Sequence, residues 1–135
     1  METNSGQIVM VVDDSILICE QIKSALRDQV SFLCEAHDGK EAVELAQQYQ
    51  PDLILLDVVL PDTNGYDLFD KLKAVGQKET VIIFLTSKDK DEDVVKGFAM
   101  GACDYIKKPF VKGELQSRVT THLQLKRQKL SLIHI

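Results

Sequence analysis

The feature that most constrains this chain's fold is a pair of short, wholly apolar runs that each stop at aspartate. Residues 8–12 end at the adjacent Asp13 and Asp14, and residues 53–56 end at Asp57. Apolar runs of this length are typical of strands buried on both faces of a parallel sheet. Because open α/β sheets bind ligands at the carboxyl ends of their strands, we expect the three carboxylates to form a site. Helix capping explains one aspartate per strand but not the doubled pair.

Strand-like runs alternate with helical patterns along the chain, which predicts repeated βαβ units and a parallel sheet. The five predicted strands cover residues 8–12, 32–36, 53–56, 81–85 and 105–106. The predicted helices cover residues 16–27, 40–48, 66–74 and 91–100, and a fifth begins at Lys112. The sequence therefore predicts a single α/β domain.

Composition excludes several classes of protein. At 135 residues with 44% hydrophobic side chains, the chain suits one domain. A formal charge of -5 and a pI near 5.1 disfavour direct nucleic-acid binding. The first residues lack a basic, apolar leader, and no apolar run approaches the roughly 20 residues of a membrane span. We therefore expect a soluble cytoplasmic protein. Cys19, Cys34 and Cys103 match no zinc spacing and are predicted to be reduced and structural.

The clustered carboxylates call for a cation. Three carboxylates within about 4 Å would repel one another by roughly 4 kcal/mol per pair at an effective dielectric near 20. All-oxygen ligands favour Mg²⁺, which keeps several waters and commonly binds phosphate oxygens. His37, His122 and His134 lie away from the acidic strand ends in the sequence and are interpreted as surface or packing residues.

The remaining strand ends supply groups that complement this charge. The fourth strand is followed by Thr86 and Ser87, and the fifth by Lys107 and Lys108. A metal, a hydroxyl and an ammonium around a carboxylate would position a phosphoryl group and neutralise its oxygens. In this arrangement Asp57 would be a nucleophile that becomes an aspartyl phosphate.

Four segments resemble, together and in this order, the motifs of two-component response regulator receiver domains. They are VVDDS at 11–15, LILLDVVLPDTNG at 53–65, FLTS at 84–87 and GACDYIKKPF at 101–110. The resemblance implies a flavodoxin-like, doubly wound sheet of five parallel strands in the order 2-1-3-4-5 with five helices. Residues 7–125 would form the receiver, and residues 126–135 a helical tail or the start of a linker to an output domain.

The resemblance also implies roles for individual residues. Asp57 would accept a phosphoryl group from a sensor histidine kinase or a phosphotransfer protein. Asp14 and Asp57 would bind Mg²⁺ together with the backbone carbonyl of Val59, and Asp13 would act through a metal-bound water. Lys108 would pair with the phosphoryl oxygens.

Further positions are implied to shape or switch the site. Thr86 would hydrogen-bond to the phosphoryl group and move toward Asp57 on activation, and Tyr105 would change rotamer with it. Pro61 and Gly65 would shape the loop after Asp57. The peptide bond before Pro109 is expected to be cis.

The implied function is a phosphorylation-controlled signalling switch that catalyses only its own phosphorylation and dephosphorylation. Its expected partner is the phosphodonor protein, and no direct binding to nucleic acid or to a membrane is expected. Phosphorylation is expected to promote association of two copies through the fourth predicted helix, the fifth strand and the last helix. We also expect slow hydrolysis of the phosphoryl group, because neither Val59 nor Lys88 can orient water as a carboxamide or carboxylate would.

Three alternatives are weighed against this function. An aspartate-nucleophile phosphatase of the haloacid dehalogenase type needs an acid two residues after the nucleophile, where this chain has Val59. A flavin or nucleotide binder needs a Gly-rich phosphate loop, which is absent. A degenerate scaffold receiver is disfavoured because Asp14, Asp57, Thr86 and Lys108 are all present.

Overall fold

The computed structural model describes residues 7–77, 79–87, 96 and 99–133, with side chains described as far as Arg127. Within these ranges the strands are β1 (Ile8–Val12), β2 (Phe32–Ala36), β3 (Leu53–Asp57), β4 (Val81–Thr86) and β5 (Asp104–Lys107). The helices are α1 (Ile16–Leu26), α2 (Gly39–Tyr49), α3 (Gly65–Val75) and α4 (Lys112–Ile133). The helix predicted over 91–100 falls mostly outside the described residues.

The five strands form one parallel sheet in the order β2-β1-β3-β4-β5. Met10 of β1 pairs with Cys34 on one side and with Ile54 on the other, which fixes the register of the three strands. Asp57, the last residue of β3, pairs with Leu85, one residue before the end of β4. The predicted strand order and parallel direction are confirmed, and the sheet's carboxyl ends share one edge.

The core has two layers because successive residues of each strand face opposite sides of the sheet. Val9 and Val11 pack with α1 and α4, whereas Met10 and Val12 pack on the side of α2 and α3. The helical spacing of the sequence predicts apolar stripes of Ile18, Ile22, Ala25 and Leu26 on α1 and of Leu115, Val119 and Leu123 on α4. All of these residues are buried except Ile18, which is partly buried, and Cys19 of α1 is buried beside them. Burying each large apolar side chain stabilises the fold by about 1.5–3 kcal/mol.

Side-chain caps decide where the first three helices begin. Ser15, Asp38 and Asn64 each accept a hydrogen bond from the backbone N–H three residues later. These caps start α2 and α3 at Gly39 and Gly65, one residue earlier than the apolar periodicity predicts.

Helix α4 continues without a break from Lys112 to Ile133, across the predicted domain boundary at residue 125. The role of residues 126–135 as a tail or linker stays a prediction. Among the described helices, none combines the length and the apolar character needed to cross a bilayer.

Candidate functional site at the carboxyl edge of the sheet

Three aspartates meet at the carboxyl edge of the two central strands. Asp57 is the last residue of β3, and Asp13 and Asp14 directly follow β1. Each offers a carboxylate oxygen within 4.8 Å of the others. Asp13 and Asp57 are buried, while Asp14 is exposed. The carboxylates that the sequence predicts to be neighbours are therefore brought together, with one of them open to solvent.

Asp13 is fixed from several directions. Its backbone N–H donates to the carbonyl of Ala36 at 3.0 Å, which extends the pairing of β1 with β2. Its Oδ1 accepts the N–H of Ser15 at 2.9 Å, and its own carbonyl accepts the Cys19 thiol at 3.4 Å. These contacts leave Oδ2 directed at the site.

Lys108 places one cation between the two buried acids. Its Nζ lies 2.9 Å from Asp13 Oδ2 and 3.3 Å from Asp57 Oδ2. The backbone N–H of Lys108 donates to the carbonyl of Thr86 at 2.7 Å, and the following bond to Pro109 is cis, as expected. The loop after β5 thus carries the ammonium to the end of β3.

The electrostatics of the site leave negative charge in excess. Burial, followed by the charge of Asp13, raises the pKa of Asp57 to about 6, although Lys108 and the Val59 N–H at 3.2 Å act in the opposite direction. Burial alone would lower the pKa of Lys108, but the hydrogen bonds and charges of Asp13 and Asp57 together raise it. Three carboxylates around one ammonium favour the binding of a further cation.

The donor set fits a hard cation. Asp13, Asp14 and Asp57 supply only oxygen, and their spacing lets one ion contact all three. The acidic cluster could therefore hold a metal ion. The backbone carbonyl of Val59 as an additional ligand stays a prediction.

The loop after Asp57 is a short hairpin that leads into α3. Val59 bridges Asn64, and the N–H of Gly65 donates to the carbonyl of Val58 at 2.7 Å. A Cβ on Gly65 would lie 2.6 Å from the carbonyl oxygen of Asp57, so a side chain cannot be accommodated without movement. Pro61 is exposed near the tip of this hairpin.

The predicted switch residues lie on β4, which neighbours β3, and on β5, the next strand of the sheet. Thr86 is the buried last residue of β4, and Tyr105 is half-buried in β5 opposite Phe84. Tyr105 packs against the core layer of α2 and α3. Their predicted contact with a phosphoryl group and their joint movement stay predictions.

The histidines and cysteines lie outside the acidic cluster, although the Cys19 thiol contacts the backbone of Asp13. His37 is hydrogen-bonded to Glu35 and His122 to Asp104, while His134 falls outside the described residues. All three cysteines are free thiols. Cys19 is buried and Cys34 half-buried, but Cys103 is exposed, so the prediction that all three are structural does not hold for Cys103.

One contact beside the site was not predicted from the sequence. Asp62, in the hairpin after β3, accepts the N–H groups of Gly39 at 2.8 Å and Lys40 at 3.1 Å, and these bonds lower its pKa. The amino terminus of α2 thereby holds the hairpin that follows Asp57. The composition of residues 61–65 predicts a turn, but it does not reveal a partner 22 residues away in the sequence.

Comparison with known sequences agrees with this geometry. The sequence model of the response regulator receiver domain matches residues 9–120. That range contains four whole strands, all of β1 except Ile8, and the whole acidic cluster. The chain belongs to the response regulator receiver domain family of two-component signalling.

Individual relatives differ in overall length. A probable cyclic di-GMP phosphodiesterase of Vibrio cholerae is 37% identical over an alignment that covers 99% of this chain and 30% of that protein. The probable transcriptional regulator ycf29 of Pyropia yezoensis is 40% identical, over 81% of this chain and 50% of that protein. The chain thus spans half or less of the length of these two curated relatives.

A solved structure matches the domain almost end to end. The chemotaxis response regulator CheY4 of Vibrio cholerae superposes with a TM-score of 0.77 at 31% identity, covering 85% of this chain and 97% of that one. The doubly wound receiver fold that the motifs implied is therefore confirmed.

Proposed function

We propose that this domain is a phosphorylation-controlled switch in which Asp57 accepts a phosphoryl group from a histidine kinase or a phosphotransfer protein. The observation that carries the proposal is the position of Lys108, whose Nζ contacts both Asp13 and Asp57 at the mouth of an all-oxygen acidic cluster. This arrangement supplies a nucleophile and a cation for the transferred group's oxygens.

The transfer forms a bond between an Asp57 oxygen and phosphorus as the bond from phosphorus to the donor's imidazole nitrogen breaks. The electron pair of the broken bond stays on that nitrogen, which can then take up a proton. Lys108 exchanges part of its contact with the acids for phosphoryl oxygens, and Thr86 donates its hydroxyl to the same group. Asp14, Asp57 and the Val59 carbonyl, with Asp13 acting through a water, would hold Mg²⁺, which would supply positive charge to the phosphoryl oxygens.

An exposed apolar surface beside the site suits a docking phosphodonor. Ile16 and Leu17, at the start of α1, are 65% and 66% exposed, and Val59 and Val111 are also exposed. Ile16 and Leu17 follow the acidic pair, whereas Val111 follows the loop that carries Lys108. A protein that covers this surface would exclude water while its phosphohistidine meets Asp57.

The output that the switch controls is not assigned to a particular activity. The relatives named above have different functions in their names, so the chain's own output, and its placement in the cytoplasm with a kinase, are inferences from family membership. Association through the fourth predicted helix, β5 and α4 remains a prediction, since most of that fourth helix lies outside the described residues. An unchanged sedimentation coefficient after phosphorylation would count against it.

Phosphorylation with a small donor tests the proposal directly. Incubation with acetyl phosphate and Mg²⁺ should add one base-labile phosphoryl group by intact mass. Asp57→Asn should abolish the addition, and Asp52→Asn, at the other end of β3, should retain it. Labelling that persists in Asp57→Asn would place the acceptor elsewhere.

The metal assignment needs a separate variant. Asp14 is exposed, so Asp14→Ala should leave the fold intact while it abolishes Mg²⁺-dependent phosphorylation. Full phosphorylation in this variant would reject Asp14 as a ligand.

A further inference from the structure

A second group of potential metal ligands lies on the α1 side of the sheet, beside edge strand β2. Cys19 belongs to α1, Glu35 to β2, and His37 follows β2 directly. Their ligand atoms, one sulfur, one carboxylate oxygen and one imidazole nitrogen, all lie within 4.8 Å of one another. His37 Nε2 and Glu35 Oε2 are already in contact at 2.5 Å. The three residues come from different elements, so the packing of α1 on β2 brings them together.

The three side chains have the chemistry of a zinc site. Zn²⁺ binds thiolate at about 2.3 Å and imidazole or carboxylate at about 2.0–2.2 Å, often with three protein ligands and one water. Ligands at these distances around a tetrahedral ion stand about 3–4 Å apart, so this group needs only small side-chain movements. We propose that Cys19, Glu35 and His37 form a Zn²⁺ site that is separate from the acidic magnesium site.

Access and orientation agree with this proposal. Cys19 is fully buried, whereas the side chains of Glu35 and His37 are 19% and 40% exposed. A metal ion can therefore enter from the His37 side, with the sulfur at the inner end and a water molecule at the outer position. Glu41 accepts the backbone N–H of His37 at 2.8 Å, which holds the residue beside β2.

Lys23 forms an ion pair with Glu35 and would compete with the zinc ion for this carboxylate. Its Nζ lies 2.5 Å from Glu35 Oε1 and 3.1 Å from Glu20 Oε2. The hydrogen bond from Lys23 is the main cause that lowers the pKa of Glu35, so this carboxylate is ionised and ready to bind a metal. Zinc binding would displace Lys23 toward Glu20, which is exposed.

Binding must also remove the thiol proton. Burial, followed by the charge of Glu35, raises the pKa of Cys19 to about 12, so without metal the thiol stays protonated and donates to the Asp13 carbonyl. Zinc would replace that proton, which leaves to solvent, and the thiolate and carboxylate charges would balance the ion. The bond from Cys19 to Asp13 would then be lost.

Cobalt provides a direct test, because a thiolate bound to Co²⁺ gives a charge-transfer band in the near ultraviolet. The full chain is titrated with Co²⁺ in excess Mg²⁺, which occupies the acidic cluster. We expect the band to saturate at one equivalent, to disappear in Cys19→Ser and to persist in Cys34→Ser, whose thiol lies on the same strand as Glu35. Absence of the band, or its survival in Cys19→Ser, would overturn the proposal.

Two variants with partly exposed side chains decide the matter even if Cys19→Ser fails to fold. Zn²⁺ affinity is measured by competition with a chromophoric chelator in excess Mg²⁺. His37→Gln should weaken binding at least about tenfold, because a ligand is lost, while His122→Gln should not. Lys23→Gln should tighten binding about three- to fivefold, since a competing ion pair is removed, and Lys71→Gln should not. Unchanged affinity in both His37→Gln and Lys23→Gln, or weaker binding in Lys23→Gln, would contradict the site.

Discussion

An aspartate stands at each end of strand β3, Asp52 directly before it and Asp57 as its last residue, yet the two have different surroundings. At the amino end, Asp52 accepts the N–H of Ile8 at 2.8 Å and pairs with Lys126 of α4 at 3.1 Å. At the carboxyl end, Asp57 shares Lys108 with Asp13. Lys108 must therefore serve two buried carboxylates, whereas Lys126 pairs with Asp52.

Burial does not distinguish the two ends. The side chains of Asp52 and Asp57 are 14% and 8% exposed, and those of their lysines 11% and 16%. The balance of charge differs, because the acids outnumber the ammonium at the carboxyl end. Asp52, which has its own cation, holds α4 to the sheet. Asp57, which stands in a group with excess negative charge, is available for metal binding and chemistry.

The largest expected effect comes from removing the shared cation. Lys108→Met leaves two buried carboxylates without their ammonium and should lower the free energy of unfolding by about 3–5 kcal/mol in EDTA. Lys126→Met should cost only about 1 kcal/mol, because Asp52 keeps its hydrogen bond from the Ile8 N–H. Urea unfolding monitored by circular dichroism measures both. Equal decreases in the free energy of unfolding would show that the excess of negative charge does not distinguish the two ends of β3.

Removing the acceptor's charge should act in the opposite direction. Asp57→Asn is expected to raise the free energy of unfolding by about 2 kcal/mol at pH 7 in EDTA, since the ionised carboxylate is destabilised by burial and by Asp13. The folded-state pKa of Asp57, about 6, lies above the usual value of 3.8. The loss of folding stability that ionised Asp57 causes in the parent is therefore fully present above pH 6. It disappears as the pH falls toward 4. Unfolding curves at several pH values measure this difference, and a variant less stable than the parent at pH 7 would oppose this explanation.

The same change at the other end of β3 should be mildly destabilising. Asp52→Asn loses the charge of its pair with Lys126 and should lower the free energy of unfolding by about 1 kcal/mol, with phosphorylation unchanged. Combining it with Lys126→Met in a double-mutant cycle should recover a favourable coupling of about 1 kcal/mol. Loss of phosphorylation in Asp52→Asn would mean that the two ends of β3 are not independent.

The smallest effect concerns the lifetime of the phosphoryl group. Val59 is 57% exposed beside Asp57 and cannot hydrogen-bond to an attacking water. Val59→Asn supplies a carboxamide there and should speed dephosphorylation, while stability changes by less than about 0.5 kcal/mol. Val111→Asn, also at an exposed position, serves as the control. Phosphoryl decay no faster than the parent's, with Mg²⁺ held constant, would reject the role of Val59. The same expectation of slow hydrolysis is based on Lys88 as well, which lies outside the described residues.

Much of the fold and of the acidic cluster could be predicted because both follow from local patterns. The run at 53–56 is apolar on both faces, which indicates a central parallel strand, and parallel strands necessarily bring their carboxyl ends to one edge. Asp13, Asp57 and Lys108 each stand at or just after a strand end, so their meeting required no knowledge of helix packing. Strand β3 extends to Asp57 because Asp57 pairs with Leu85, which the apolar pattern alone does not show.

The contacts that the sequence did not predict depend on how helices sit against the sheet. Cys19 and Glu35 meet because of the rotation of α1 about its axis over β2. The apolar stripe of α1 indicated a buried face but not which strand residue lies opposite Cys19. The bond from Asp62 to the start of α2 likewise joins two segments that are separated in sequence and adjacent only once the sheet has formed.

The hairpin between Asp57 and α3 also limits how this chain can change in length. The Val59–Asn64 bridge, the Gly65 to Val58 bond and the contact of Leu60 with Thr63 use the backbone at each step, so the segment has no spare residue. One inserted residue would reverse the facing of every side chain beyond it in the hairpin, and it would carry Asp62 away from α2. Insertions that preserve function should therefore accumulate in other loops of the domain, while this hairpin keeps a constant number of residues.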